Sequence, residues 1–312
     1  MTVKATPLKI GFIGLGVMGS PMVGHLVAAG HQLTVYDLEL ARAQQLVDAL
    51  EGKPLIADSP EALARASDIV LTMLPNGEVV QEVALGPAGL LKGFKPGSLL
   101  LDTSSSQPWL TEQTAARLAE QQVAMVDAPV SGAQWGAEAA ALVFMVGGAA
   151  TDVERVRPVL GCLGPSVFHV GDLGCGHAMK CLNNLITAMT FSATAEGLMI
   201  GKRYGLDPDV MVDVLNASTG MSWISQTHIK QRITSRTFDD PFKLELMLKD
   251  VGIANALARE TNTSAPVSAL GQQLWQAAST AAGPGASISE LARWVESQSG
   301  TEISAGAKPR KA

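Results

Sequence analysis

The stretch KIGFIGLGVMGSPMVGHLVAAGHQLTVYD, residues 9–37, decides the fold. It opens on a short apolar run, Ile10–Ile13, and closes on a second, Leu33–Tyr36. Between them Gly14, Gly16 and Gly19 stand in the spacing G-x-G-x-x-G, directly before the helix-like segment Pro21–Ala29. A strand, such a loop and a helix together form a phosphate cradle. The glycines permit a tight turn, close approach of main chain to a pyrophosphate, and close packing of helix on sheet, while the helix N-terminus offers free N–H groups to an anion. Taken alone, the spacing can also be read as a glycine-rich turn that holds nothing. Asp37 ends the second run about 20 residues after the loop, the interval at which a carboxylate meets the ribose hydroxyls of a dinucleotide. It would repel a 2′-phosphate, and no arginine follows it directly, so NAD is favoured over NADP. Asp37 can also be read as a helix N-cap, and Arg42 reads as a solvent-facing helix residue.

Working outward, further strand-like runs follow at Ile69–Met73, Leu99–Leu101, Ala124–Val126, Val143–Val146 and Val167–Val170. They are short and rich in Val, Ile and Leu, as strands buried on both faces are. Helix-like segments such as Pro60–Ala66 alternate with them, which predicts a doubly wound parallel sheet of the Rossmann type. After Gly176 the pattern changes. Ala178–Lys202 is long, apolar and free of proline, and helix-like segments continue to about Val295 with no further strand. The expected organisation is a dinucleotide-binding α/β domain over 1–172 and an all-helical domain over 173–299. A long interdomain helix joins them, and a disordered tail occupies 300–312.

Composition agrees with a globular protein. The 312 residues are 47% hydrophobic and 17% charged, with a net charge of −6, which excludes disorder and disfavours a phosphate-backbone partner. No apolar run reaches the roughly 20 residues that span a bilayer. Met1–Ile10 carries no apolar signal core or Arg-rich leader, and Cys162, Cys175 and Cys181 form no CxxC pair, so a cytoplasmic location is expected. His25, His31, His169 and His228 show no metal-ligand spacing with carboxylates or cysteines, and no metal is expected.

Two further motifs carry chemistry. Asp127-Ala-Pro-Val-Ser-Gly-Ala133 leaves a strand end, where function gathers in open α/β sheets. Ser131 can offer its hydroxyl, and Gly132 its N–H, to a carboxylate. Gly174-Cys-Gly-His-Ala-Met-Lys180 runs into Cys-Leu-Asn-Asn184, which places Lys180 and Asn184 four apart on one helical face. A lysine on so apolar a helix is costly without a task or a partner.

With the fingerprint Gly14-Leu15-Gly16-Val17-Met18-Gly19 and with Lys249-Asp250 in Leu246–Gly252, these motifs resemble the β-hydroxyacid dehydrogenase family over about Lys9–Val295. That family includes 3-hydroxyisobutyrate dehydrogenase and tartronate semialdehyde reductase. The resemblance implies an NAD-dependent hydride transfer between cofactor and a short β-hydroxy acid or its semialdehyde. It implies Lys180 as general acid/base, Ser131, Gly132 and Asn184 on substrate, and Gly14, Gly16, Val17, Met18, Gly19, Asp37, Leu74, Pro75, Thr103 and Lys249 on cofactor. It also implies a homodimer or homotetramer, with 173–299 as a substrate and dimerisation domain. Burial beside Lys249 would lower the lysine pKa, as a base near neutral pH requires. His177, three residues before Lys180, is the rival base, or else a polar cap-region residue.

The chain departs from the family at Ala133, where a second glycine is usual, and at Trp135, where a small residue is usual. The indole either shapes the pocket or covers the loop. No phosphate-binding arginine cluster accompanies Met221, Ser222 and Trp223, which disfavours a phosphosugar. Two other readings stand beside the dehydrogenase: an imine reductase on the same scaffold, against which Lys180 counts, and a dinucleotide-binding interaction module without chemistry, against which Lys180, Asn184 and Ser131 count together. The residues do not name the hydroxy acid.

Overall fold

The computed structural model describes residues 7–307. The chain divides into two compact units, Met1–Lys180 and Cys181–Ala312. The division falls eight residues beyond the expected boundary at 172, inside one continuous helix.

Among the described residues the first unit contains nine strands in chain order: β1 (Lys9–Ile13), β2 (Gln32–Tyr36), β3 (Leu55–Ile56), β4 (Ile69–Thr72), β5 (Leu99–Asp102), β6 (Ala124–Asp127), β7 (Val130–Ser131), β8 (Val143–Gly147) and β9 (Ser166–Gly171). Helices α1 (Gly19–Ala28), α2 (Leu40–Ala49), α3 (Pro60–Arg65), α4 (Gly77–Leu85), α5 (Pro108–Ala119), α6 (Ala133–Glu138) and α7 (Ala150–Gly161) lie between them. The sheet order is β3-β2-β1-β4-β5-β6-β8-β7, with β9 beside β8. The first six strands of that order are parallel neighbours in the Rossmann sequence 3-2-1-4-5-6. All four residues of β4 and of β5 are buried. Helices therefore cover both faces, and the apolar side chains form two clusters. Phe12, Met22 and Val35 belong to one, and Ile13, Leu63 and Leu100 to the other.

The sheet is not parallel throughout, as the alternation predicted. β8 runs antiparallel to β6, through Asp127↔Gly147, and to β7, through Val130↔Phe144. The connection from β6 to β8 holds only two-residue β7 and the short α6, and β7 pairs with the start of β8. The chain therefore re-enters the sheet from the carboxyl end of β6.

Helix α8 (Cys175–Tyr204) is the expected long helix, 30 residues in one run. Its first six residues fall in the first unit and the rest in the second. The second unit continues with α9 (Pro208–Asn216), a π-helical stretch Ile224–Thr234, α10 (Leu244–Glu260), α11 (Pro266–Ala282) and α12 (Glu290–Ser299). Its core gathers Phe191, Ile229, Val251, Leu291 and a fully buried Trp275, whose Nε1 donates to Ser192 Oγ at 3.0 Å.

The expected disordered tail is corrected over residues 300–307. Ile303 is fully buried in the helical core, and its N–H donates to Glu296 Oε1 at 2.6 Å. Lys202, itself 2% exposed, donates from Nζ to the carbonyls of Ser304, at 2.8 Å, and Gly306. An apolar side chain and an inward-facing cation outweigh the polar composition that suggested disorder. Residues 308–312 of the expected tail lie outside the described residues.

Candidate active site

The glycine loop assigns a separate task to each glycine. Gly14 has φ +97°, and a Cβ there would stand 2.2 Å from Met73 O, so the tight turn excludes a side chain. At Gly19 a Cβ would stand 1.9 Å from Gly14 O, the mark of close packing between helix and loop. Gly16 differs, because a Cβ there would meet nothing within 4 Å. The space in front of Gly16 is open to a ligand rather than filled by protein. Val17 is exposed and Met18 half-buried. Met18 caps α1 without a side-chain hydrogen bond, so no side chain of the cap offsets the positive end of the helix dipole next to that space. These features fit the pyrophosphate of a dinucleotide.

Asp37 stands just past β2. Its Oδ2 accepts from Leu15 N at 2.8 Å and its Oδ1 from Glu39 N at 2.9 Å. The carboxylate thus ties the glycine loop to the end of β2 before any ligand arrives. Arg42 is not turned wholly to solvent. Its guanidinium lies 2.8 Å from Glu39 and 3.8 Å from Asp37. Leu74 N donates to Ser104 Oγ at 2.9 Å, and Pro75 beside it is exposed. Thr103 is 1% exposed and donates its hydroxyl to Thr72 O at 2.7 Å. The strand ends that should meet the cofactor are therefore bound to one another.

Ser131 lies on β7, paired with Val143, and is half-buried. Gly132 has φ +131° and precedes α6, and Ala133 is held at φ +51°. The departure at position 133 thus places an alanine in the left-handed region that the family's usual glycine occupies without strain. Trp135 is 59% exposed.

Asp127, which opens this loop, is fully buried. Its Oδ1 accepts from Gly174 N at 2.8 Å and its Oδ2 from His177 N at 2.7 Å. The carboxylate caps the N-terminus of α8, the helix that carries half-buried Lys180 in its second turn. Burial pushes the Asp127 carboxyl up. The His177 charge and the two backbone N–H groups oppose that shift, and the Asp102 charge adds to it. His177 lies in the first turn of α8, where its N–H donates to Asp127. Its side chain is fully buried, with both ring nitrogens engaged inside the first unit, which removes it as a base facing substrate.

In the second unit Asp250 is the junction that sequence reasoning overlooked. Its Oδ2 accepts from Asn184 Nδ2 at 2.5 Å, and its Oδ1 lies 3.3 Å from Lys249 Nζ. Lys249 is thus charge-paired within the second unit. Asn184 is 5% exposed.

A loop shaped for pyrophosphate at a Rossmann crevice, followed by a helical unit, defines the class: a nicotinamide-dependent oxidoreductase. Two family models match. The NAD binding domain of 6-phosphogluconate dehydrogenase covers residues 9–171, and the NAD-binding domain of NADP-dependent 3-hydroxyisobutyrate dehydrogenase covers 174–295. The chain is 36% identical to 2-(hydroxymethyl)glutarate dehydrogenase of Eubacterium barkeri, over 96% of this chain and 98% of that one. It is 37% identical to 3-hydroxyisobutyrate dehydrogenase of Pseudomonas aeruginosa, over 85% and 90%. Among solved structures, Mycobacterium tuberculosis 3-hydroxyisobutyrate dehydrogenase with L-serine superposes with a TM-score of 0.85 at 29% identity, over 93% of this chain and 99% of that one. The chain belongs to the β-hydroxyacid dehydrogenase family.

Proposed function

We propose that the protein is an NAD-dependent dehydrogenase of a short β-hydroxy acid, or a reductase of the corresponding semialdehyde, with Lys180 as its acid/base. One observation carries the reading. The Asp127 carboxylate joins the start of the Ser131–Gly132 loop to the first turn of the Lys180 helix, so one anchor serves the acid-docking loop and the lysine. A dinucleotide held by its pyrophosphate at the glycine loop would supply the hydride acceptor or donor through its nicotinamide ring. Ser131 donates its hydroxyl, and Gly132 its N–H, to the substrate carboxylate. Lys180 Nζ, as free amine, takes the hydroxyl proton in oxidation, and as ammonium it returns a proton to the alkoxide oxygen in reduction. Asn184 and Lys249 keep the substrate and cofactor roles that the family resemblance gives them. The relatives named for 3-hydroxyisobutyrate and 2-(hydroxymethyl)glutarate support a β-hydroxy acid with a free carboxylate.

The test is a rate panel of 3- and 4-carbon hydroxy acids in both directions with each cofactor, and the methyl ester beside the best acid. The acid should react about 10²-fold faster or more, because the ester leaves buried donors unpaired. Equal rates refute carboxylate docking. NAD should be preferred because Asp37 repels a 2′-phosphate. Arg42 already stands 3.8 Å from that carboxylate, so Asp37→Asn alone should relax the preference toward NADP. A wild-type preference for NADP overturns the assignment.

We further propose a homodimer or homotetramer in the cytoplasm. Ile186 and Ile200 on α8, Val210 and Val214 on α9, and Val267 and Leu270 on α11 are all exposed, a supply of apolar surface that association would cover. Light scattering of the purified protein tests the oligomer, and a monomer at micromolar concentration refutes it.

A further inference from the structure

The proposed chemistry makes no use of a histidine that the first unit buries three residues before Lys180. His177 is 1% exposed. Its Nε2 lies 3.2 Å from Ser104 O, and its Nδ1 lies 2.8 Å from Thr111 Oγ1 on α5. A carbonyl only accepts, so Nε2 carries a proton and donates it. Asp102 Oδ2 is 3.6 Å from Nε2, and Asp127 Oδ2 is 3.7 Å from Nδ1. Both carboxylates already have other donors. Asp102, at the end of β5, accepts from Thr72 Oγ1, Ser104 N and Ser106 Oγ. Asp127, at the end of β6, accepts from Gly174 N and His177 N.

His177 thus holds α8 in two directions. Its main chain closes the helix N-terminus onto β6 through Asp127, and its ring reaches the loop after β5. Ser104 is the meeting point there. Its carbonyl accepts from the imidazole, while its hydroxyl oxygen accepts from the N–H of Leu74, a residue proposed to meet the cofactor. Two short links therefore connect the first turn of the lysine helix to the strand ends on the cofactor side.

We infer that His177 is a positioning residue for the reaction: its ring sets the depth and roll of the first turns of α8, and so the placement of Lys180 against the strand ends that carry Leu74 and Thr103. The inference rests on Lys180 being the acid/base. Any buried imidazole needs partners for its nitrogens, but here those partners lie on the loop after β5 and on α5, so satisfying the ring also ties α8 to them. An alanine spans neither gap, whereas a glutamine reaches the Nε2 position and restores the link to Ser104 O. Displacement of a reacting group by about 1 Å costs on the order of 10²-fold in rate even when the altered residue is remote from the chemistry.

The experiment uses the full chain with NAD and the fastest acid of the rate panel. Its variants are His177→Ala, His177→Gln, Thr111→Val and Lys180→Ala. For His177→Ala, kcat should fall about 10²-fold while the Kd for NAD, measured by calorimetry, changes by less than about threefold. His177→Gln should recover most of that loss. Thr111→Val removes only the hydroxyl beside Nδ1 and should lose about three- to tenfold in kcat. If His177→Ala does not fold, Thr111→Val and His177→Gln carry the test. Wild-type kcat in Thr111→Val together with His177→Ala overturns the inference, and where His177→Ala does not fold, wild-type kcat in Thr111→Val alone does so. So does a parallel fall of NAD binding, melting temperature and kcat that glutamine does not rescue, because packing alone would produce that. Near-normal turnover in Lys180→Ala refutes the underlying acid/base reading instead, and the two failures are distinct.

Discussion

Replacing Gly16 by alanine separates a glycine kept for a ligand from one kept for the fold. Its φ lies outside the left-handed region, and the added methyl meets no protein atom within 4 Å, so the unliganded protein should hardly notice it. A surface substitution of that kind changes stability by no more than about 0.5 kcal/mol, or about 2 °C in Tm. The methyl instead enters the space before the uncapped N-terminus of α1, where the pyrophosphate would lie. Pushing the phosphates outward forfeits one charge-assisted hydrogen bond, worth about 1.5–3 kcal/mol, so the Kd for NAD should rise about 10- to 10²-fold. Gly14→Ala should behave in the opposite way. The backbone at φ +97° costs roughly 1–2 kcal/mol for a residue with a Cβ. The contact 2.2 Å from Met73 O raises the loss to about 3 kcal/mol, or roughly 6–12 °C in Tm. Calorimetric titration with NAD and thermal denaturation without it, on both variants, decide the matter. If Gly16→Ala binds NAD as tightly as the parent, or destabilises as much as Gly14→Ala, the open space is no cofactor site.

Lys180→Ala should lower turnover by about 10²- to 10⁴-fold with NAD affinity unchanged, and steady-state kinetics beside calorimetry check it. Ala133→Gly should raise stability by about 1 kcal/mol by relieving the φ of +51°, seen as a Tm higher by a few degrees; a fall in Tm refutes the strain. Burial holds the Asp127 carboxyl above its ordinary value, so folding favours its protonated form. Its contribution to stability is complete below the usual carboxylate range and is lost as pH rises through the raised value. Denaturant unfolding across that range should show a slope in the parent that Asp127→Asn removes, and identical slopes refute the shift.

The glycine loop, the buried strands and the apolar α8 were legible in the sequence because each is a local pattern of spacing or periodicity. β3 and β7 were not, since two residues carry no periodicity. The reversal of β8 was hidden because strands buried on both faces look alike whichever way they run. The partnership of Asp127 with His177 was hidden for a different reason. The partners of Asp127 stand 47 and 50 residues along the chain, and those of the His177 ring 66 and 73 residues back. A faint signal lay in the glycines around the carboxylate. A Cβ at Gly147 would stand 2.4 Å from Asp127 Oδ1, and one at Gly176 2.7 Å from Oδ2. The backbone is kept bare where Asp127 must fit, but glycine spacing alone does not say what it makes room for. Asp250 escaped because its two partners are a neighbour, Lys249, and a residue on a different helix, Asn184.

The last described residues constrain variation in an unusual way. Lys202 grips carbonyl oxygens of Ser304 and Gly306, not their side chains, and Glu296 receives the main-chain N–H of Ile303. Any residue offers a carbonyl, so the identity at 304 is free to drift while the path of the chain is not, and Gly306 at φ +86° is a position that favours glycine. Only position 303, whose side chain fills the core, must stay apolar. In related chains this segment should therefore read as nearly random polar sequence of fixed length. A deletion of one residue there should cost more than most substitutions, because it pulls the carbonyls off a buried ammonium.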